Sequence, residues 1–370
     1  MVRKRSTSTA LRTVHAVAIS ILASGANAED FSWQLSGAYG ETELAPFADT
    51  ERTMLDATYY IDPVDDARGP YALAPFLNRS SRVTFGVTNE KTTITTPVVS
   101  IGLPPPGSPT TMDVTEETTG YAIGGRYVWS ASGWYVGAGY RDADTDREPS
   151  SPESRQGTTT DDYQLFGGRY FGESTSLDLA AGATRQTTQL TITCVTSLCL
   201  SGSAATQIDT DDWSIGALHV RQGSRLGYSI SGRVSGADVT ASYDSLVLTL
   251  PPGTLLPPAP ATTGLRGIIG AVSVAPFSIA GPFTGSLAIP DERVTYSIGG
   301  ELFPTDRLGF RIGLARSDGD FVDDESYDLA ATWFFTRAAA VQFVVARTES
   351  QLASLRRDID TAELRLFGRL

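Results

Sequence analysis

The chain has 370 residues, with 42 acidic against 29 basic side chains, a net charge of −13 and only two histidines and two cysteines. An acidic balance with hardly any lysine excludes a nucleic-acid binder, which needs a basic stripe. Gly, Thr, Ser, Tyr and Trp are plentiful and favour strands and turns over helices, so the composition points to an all-β chain.

Residues 1–28 read as a secretory signal peptide. Arg3, Lys4, Arg5 and Arg12 form a basic start, Val14 to Ala23 is apolar, and Ala26-Asn27-Ala28 fits a small-residue cleavage site. The apolar stretch is too short for a membrane helix, which needs about 20 residues. Loss of the four basic residues takes the charge from −13 to −17, and Lys91 is then the only lysine. Residues 29–370 contain no apolar run of membrane-helix length and read as one β unit.

The strands follow in order. Phe31, Trp33, Leu35, Gly37 and Tyr39 alternate with polar or small residues, a period of two. Leu55 to Ile61 is a second strand, and Val83 to Val87 a third. Between them, Asp62 to Ser80 carries the breakers Asp62-Pro63 and Gly69-Pro70. After a Thr/Pro/Gly-rich loop, about Asn89 to Glu117, comes the clearest hairpin. Tyr121 to Trp129 and Trp134 to Arg141 flank Ser130-Ala131-Ser132-Gly133, with Trp129 and Trp134 on its apolar face, where a membrane–water girdle belongs. Further strands are expected near Asp162 to Phe171, Leu177 to Ala183, Asp212 to Arg221, Leu226 to Ser235, Val294 to Phe303, Leu308 to Arg316, Tyr327 to Phe335 and Ala340 to Arg347. The last is Ala362 to Leu370, with Leu364, Leu366 and Leu370 on one face and Glu363, Arg365 and Arg369 on the other.

Fourteen strands result, with sixteen or twelve as alternatives. Tight turns at 130–133, 172–174, 222–225, 304–306 and 336–337 alternate with longer loops at 89–117, 142–160, 185–211, 236–291 and 317–326. Short connections on one side and long ones on the other characterise an up-and-down transmembrane β-barrel. A soluble sandwich also alternates, but its strands cluster near five or six residues, whereas these run to about ten, the length a tilted barrel strand needs. The apolar, Pro-rich Leu246 to Pro290 region is either an outer loop or two more strands, Leu246 to Leu250 and Leu265 to Val274; the first is short for a crossing, which favours fourteen. Asp62 to Ser80 is long where a short turn belongs, and the pattern supplies no reason for it.

The leader, the turn–loop asymmetry and the amphipathic terminal strand resemble Gram-negative outer-membrane porins. Tyr59-Tyr60, Gly69-Pro70 and Ala74-Pro75-Phe76-Leu77 resemble a segment of a general bacterial porin family. One departure is the final residue. Many such barrels end in Phe; this one ends in Leu370, with Phe367 on the other phase. The resemblance implies location in the outer membrane, insertion by the barrel-assembly machinery, contact with outer-membrane lipid and lipopolysaccharide, and a passive channel for small hydrophilic solutes. By analogy it leaves a homotrimer as the candidate assembly.

Catalysis has little support. His219 is the only histidine beyond the leader, no phosphate-binding or metalloprotease motif is present, and the expectation is a protein that is not an enzyme and has no cofactor or metal. Cys194 and Cys199 are expected to close a small disulfide loop in an oxidising compartment; a metal pair is the alternative, with no histidine nearby to complete it. If the apolar phase faces lipid, the opposite phase gives the pore-lining candidates Arg126, Arg141, Asp178, Arg233, Glu301, Arg311, Asp328, Glu363 and Arg365. They either pair and brace the wall or select ions. Arg169 and Arg347 fall on the lipid phase near strand ends, where long side chains snorkel. The outer loops carry acidic runs, among them Asp318, Asp320, Asp323, Asp324 and Glu325, without the spacing of a calcium loop. The overall charge favours cations, and the loop at 236–291 or the one near Pro104 to Pro109 is expected to narrow the pore. With Phe31 already in a strand, no N-terminal plug domain is expected. The rival reading is a non-conducting barrel with a structural or adhesive role through its loops.

Overall fold

The structure, a computed structural model, describes residues 30–44, 48–65, 67, 69–97, 111–148, 154–192, 201–222, 226–249, 289–319, 322–352 and 355–370. Fourteen antiparallel strands form one closed barrel: β1 (Asp30–Leu44), β2 (Ala48–Asp65), β3 (Arg82–Pro97), β4 (Thr111–Trp129), β5 (Trp134–Glu148), β6 (Ser154–Phe171), β7 (Thr175–Ile192), β8 (Ser201–Gln222), β9 (Gly227–Thr249), β10 (Ile289–Thr305), β11 (Leu308–Gly319), β12 (Val322–Phe334), β13 (Ala339–Leu352) and β14 (Leu355–Arg369). Each strand pairs with its chain neighbours, and β14 returns to β1 with Leu366 opposite Gly37 and Leu364 opposite Tyr39. The final residue completes the seam: the Ser32 and Trp33 N–H groups donate to the Leu370 carbonyl at 2.9 Å, and the Leu370 N–H donates to the Trp33 carbonyl at 2.9 Å. Closure removes the unpaired edge that an open sheet would present.

Alternation sets the two faces. Leu165, Leu179, Ile215, Ile230, Ile298, Ile312 and Leu329 share the outward phase and are exposed, Leu165 at 67%. Trp33, Tyr59, Trp129, Trp134, Phe171 and Trp333 flank this belt at the turn end, and Tyr121, Tyr140, Tyr163, Trp213, Tyr296 and Tyr327 at the loop end. An apolar belt between two aromatic girdles is the outer surface of a membrane barrel, since a surface this apolar is not stable in water.

The strands run further than expected at the loop end. Leu246–Thr249 continues β9 and is not a fifteenth strand, and the loops placed at 142–160, 185–211 and 317–326 are largely paired strand. These extensions carry Thr and charged residues, so they give no apolar alternation. They are held by the backbone ladder and by inward threonine pairs: Thr42–Thr361, Thr50–Thr92, Thr118–Thr145 and Thr158–Thr188, with Oγ1 atoms 2.8–3.1 Å apart. The leader at 1–28, the Pro104 to Pro109 loop, Leu265 to Val274, and Cys194 with Cys199 lie outside the described residues.

The alternation is testable on two adjacent residues of β6. Leu165→Arg, on the lipid phase, is expected to cost about 2–4 kcal/mol of folding free energy in vesicles. Gln164→Arg, on the inner phase, is expected to leave the urea midpoint nearly unchanged. Equal losses in the two unfolding curves would contradict the phase.

Candidate functional site

The long connection between β2 and β3 folds into the barrel. After Asp65 the chain makes a 3-10 turn (Tyr71–Leu73) and a single helical turn (Ala74–Leu77), then rejoins the wall at Arg82. Pro75 sits in the first turn of that helix, where its missing N–H costs nothing. The Asn78 side-chain amide donates to the Asp65 carbonyl at 2.6 Å and to the Ala74 carbonyl at 2.9 Å, clasping the two ends of the insert.

Three aromatic or aliphatic side chains anchor the insert on separate sectors of the wall. Tyr71 packs on Phe334, Ala340 and Phe367 of β12–β14, and Leu73 on Val220 and Phe303 of β8 and β10. Phe76 packs against Val128, Tyr135 and Tyr170 of β4–β6. Polar ties supplement them. The Tyr71 N–H donates to the Asp306 carbonyl (3.0 Å), the Val128 N–H to Ser81 Oγ (3.0 Å), and Arg126 Nη2 to the Ser80 carbonyl (3.0 Å). Arg369, the penultimate residue, lies between the Phe31 and Phe334 rings, 4.5 and 4.8 Å from their centroids, and donates to the Tyr71 carbonyl at 2.7 Å. Val64 (0% exposed) and Tyr60 (2%), with Phe31 and Ala74, complete this core. The hydrophobic core among the described residues is therefore a plug at the turn end of the barrel.

This is the main departure from expectation. Among the described residues the constriction comes from the turn side through residues 69–81, an internal insert between β2 and β3; the Pro104 to Pro109 loop and most of 236–291, expected to narrow the pore, lie outside the described residues. One signal was readable: Tyr71, Leu73, Phe76 and Leu77 crowd apolar side chains into a connection whose counterparts are polar turns. Their partners on β4–β6, β8, β10 and β12–β14 are remote in sequence and carry no local mark.

Above the plug the inner phase turns charged within one or two steps on several strands: Val128 to Arg126 on β4, Ser176 to Asp178 on β7, Phe303 to Glu301 on β10, and Phe367 to Arg365 on β14. All nine candidates stand on this inner phase, with Arg141 nearer the loop end, opposite Asp162. Six of them are paired. Arg233 Nη2 lies 3.4 Å from Asp178 Oδ2, Arg311 donates through Nε (3.0 Å) and Nη2 (2.7 Å) to Asp328 Oδ1, and Arg365 pairs with Glu363.

Glycine makes room for these pairs. Asp178, Gly216 and Arg233 are in register on three successive strands, and a Cβ on Gly216 would stand 2.6 Å from the Asp178 carboxylate. The bare backbone lets Asp178 reach across β8 to β9. Asp56 over Gly86 (2.7 Å to a Cβ) and Asp212 over Gly182 (2.6 Å) repeat the arrangement, as does Asp328 over Gly313.

On the outer phase, Arg169 stacks on Trp134 and Phe171, each 5.4 Å from the ring centroid, in the turn-end girdle. Arg347 sits at the loop end among Asp358, Asp360 and Glu349. Arg316 pairs with Asp318 and Glu325, and Arg293 with Asp324, so part of the acidic rim is neutralised within the wall. Hydrogen bonds from Arg185 and Gln207 hold the Asp209 carboxyl below its ordinary range. His219 is exposed on the outer phase beside the turn end, its Nδ1 2.9 Å from Thr175 Oγ1, the place of an interfacial polar residue.

The fold is that of outer-membrane barrels. A deletion mutant of TodX and CymD, both described as monoaromatic hydrocarbon channels, each match 92% of this chain at 9% identity with a TM-score of 0.51, over 90% and 89% of their own lengths. Omp33 of Acinetobacter baumannii matches 92% of this chain and 99% of its own at 14% identity, with a TM-score of 0.45. No curated protein is similar in sequence and no protein-family model matches, so the resemblance of residues 59–77 to general bacterial porins stands on those short motifs.

The plug's anchors can be tested by trypsin cleavage after Arg79. Tyr71→Ala and Arg369→Ala are each expected to remove about 2 kcal/mol or more of local anchoring and to speed that cut roughly 30-fold or more. Unchanged cleavage in both variants would show that the insert is held by other contacts.

Proposed function

We propose that the protein is an outer-membrane channel through which small hydrophilic solutes and ions diffuse passively, throttled at its turn end by the 69–81 insert. The observation that carries this is the inner wall above the plug. It is lined by charged residues, Arg126, Asp178, Arg233, Glu301, Arg311, Asp328, Glu363 and Arg365, on the phase opposite an apolar belt. A wall of fixed charge suits hydrated solutes, because stripping water from a charged wall to admit a hydrocarbon is costly. Two fold neighbours are channels by description, which supports the class though not the solute. The acidic loop-end residues lie further out, where their field draws cations to the mouth; Arg141, opposite Asp162, offsets part of that field.

Within this reading the chain is exported through residues 1–28, folded by the barrel-assembly machinery into the outer membrane, and set among lipid and lipopolysaccharide, with a homotrimer as its assembly. The reading includes no enzyme activity and no cofactor.

The packed plug favours a second reading, a barrel that does not conduct and acts through its loops. Planar-bilayer recordings separate the two. The wild type is expected to give small, brief steps, and a variant with residues 66–79 replaced by an Asn-Gly turn is expected to give steps several-fold larger. No steps from either protein at any voltage would overturn the channel reading; equal steps would show that the insert does not throttle it.

A further inference from the structure

We infer that Arg82 and Arg126, with the tyrosines around them, form a binding site for a small oxyanion, a carboxylate or a phosphate, on the lumen side of the plug. The two arginines are direct cross-strand partners on β3 and β4. Like charges placed directly opposite are unfavourable unless something of opposite sign lies between them. Elsewhere on the inner wall arginines meet carboxylates, as Arg233 meets Asp178 and Arg311 meets Asp328. Among the described residues, neither Arg82 nor Arg126 has an ion pair with a carboxylate. Their neighbours are tyrosines. The Arg126 guanidinium lies 5.5 Å from the Tyr135 ring centroid and 6.0 Å from that of Tyr170, and Arg82 faces the Tyr60 hydroxyl. Arg79, from the plug itself, adds a third guanidinium, 5.4 Å from the Tyr170 ring centroid.

The hydrogen-bond inventory is unbalanced in the same direction. A guanidinium only donates. One Arg126 donor is used by the Ser80 carbonyl, and Arg79 uses the Gly172 carbonyl. Arg126 Nε and the hydroxyl of Tyr170, a residue 4% exposed, are both buried and lie close together, without the geometry of a full hydrogen bond between them. The Tyr135 hydroxyl is already turned to the Leu177 carbonyl at 3.4 Å. The acidic group facing this cluster, Asp178 beside Tyr135, is engaged by Arg233. Buried donors and two fixed cations on inner-phase residues that are only partly buried together call for an acceptor carrying negative charge. An oxyanion accepts from several N–H and O–H groups at once and offsets the repulsion between Arg82 and Arg126.

The site lies one step above Val128 on β4, where the plug ends and the polar lumen begins. As a stop on the solute's route it rests on the channel reading; the binding itself is measurable whether or not the barrel conducts. The experiment is titration calorimetry of the full-length barrel, folded in detergent, with sodium phosphate and, separately, sodium acetate. Sodium chloride at about 0.15 M screens the acidic rim. Saturable binding of at least one oxyanion is expected, and the two arms decide which. Arg126→Gln and Arg82→Gln are expected to weaken it tenfold or more. Tyr170→Phe, which keeps the ring and its packing, is expected to weaken it several-fold. Arg126→Lys is expected to bind more weakly than wild type, because a point charge replaces the planar fork. Heat-modifiable migration in gels certifies that each variant is folded. No saturable heat from either salt with the folded wild type, or equal affinities in wild type, Arg82→Gln and Tyr170→Phe, would overturn the site. Silence in bilayers with binding intact would count against conduction alone.

Discussion

The hydrogen bonds between β14 and β1 are the contacts on which everything else depends. In an apolar solvent an unpaired strand edge has no water to satisfy it, so only the closed ring is stable. The seam runs from Glu43 opposite Asp360 down to Trp33 and Leu370. The same two strands then organise the interior. Phe31 of β1 and Phe334 of β12 hold the Arg369 guanidinium between them, and Arg369 holds the insert at Tyr71. The chain's last turn of strand therefore both closes the wall and fastens the plug, and the plug's position is a consequence of closure.

The lumen is shaped by where side chains are missing. Opposite several inward aspartates stands a glycine, so the carboxylates lie along the wall and reach arginines beside them or one strand further on. Paired in this way, the charges brace the wall and keep the lumen polar at once. Arg82 and Arg126 depart from the pattern: tyrosines take the place of carboxylates there, beside the one segment that crosses the lumen among the described residues.

Period-two alternation made the strand order, the count of fourteen, the phase of the wall and the closing strand legible. It also marked Arg169 and Arg347 as outward, and the structure supplies the reason in each case: two girdle aromatics for one, a cluster of carboxylates for the other. What alternation did not reach was structure built without an apolar face. The Thr- and Asp-rich upper strands pair through backbone and hydroxyl groups, so their ends were set too early. The insert was opaque for the opposite reason. Asp62-Pro63 and Gly69-Pro70 announce a break in a strand, but the destination of Tyr71, Leu73 and Phe76 is decided by Phe334, Val220 and Tyr170, which only the closed barrel brings near.

The claim that a turn-end plug divides the barrel interior is most directly tested on β9, where Ser229 (8% exposed) and Ser231 (exposed) point inward two residues apart. With Cys194 and Cys199 replaced by serine, single cysteines at 229 and 231 are to be reacted with a water-soluble maleimide in the folded barrel. The account predicts fast labelling at 231 and labelling slower by tenfold or more at 229, with the difference abolished when residues 66–79 are removed. Equal rates at the two positions in the intact barrel would contradict it.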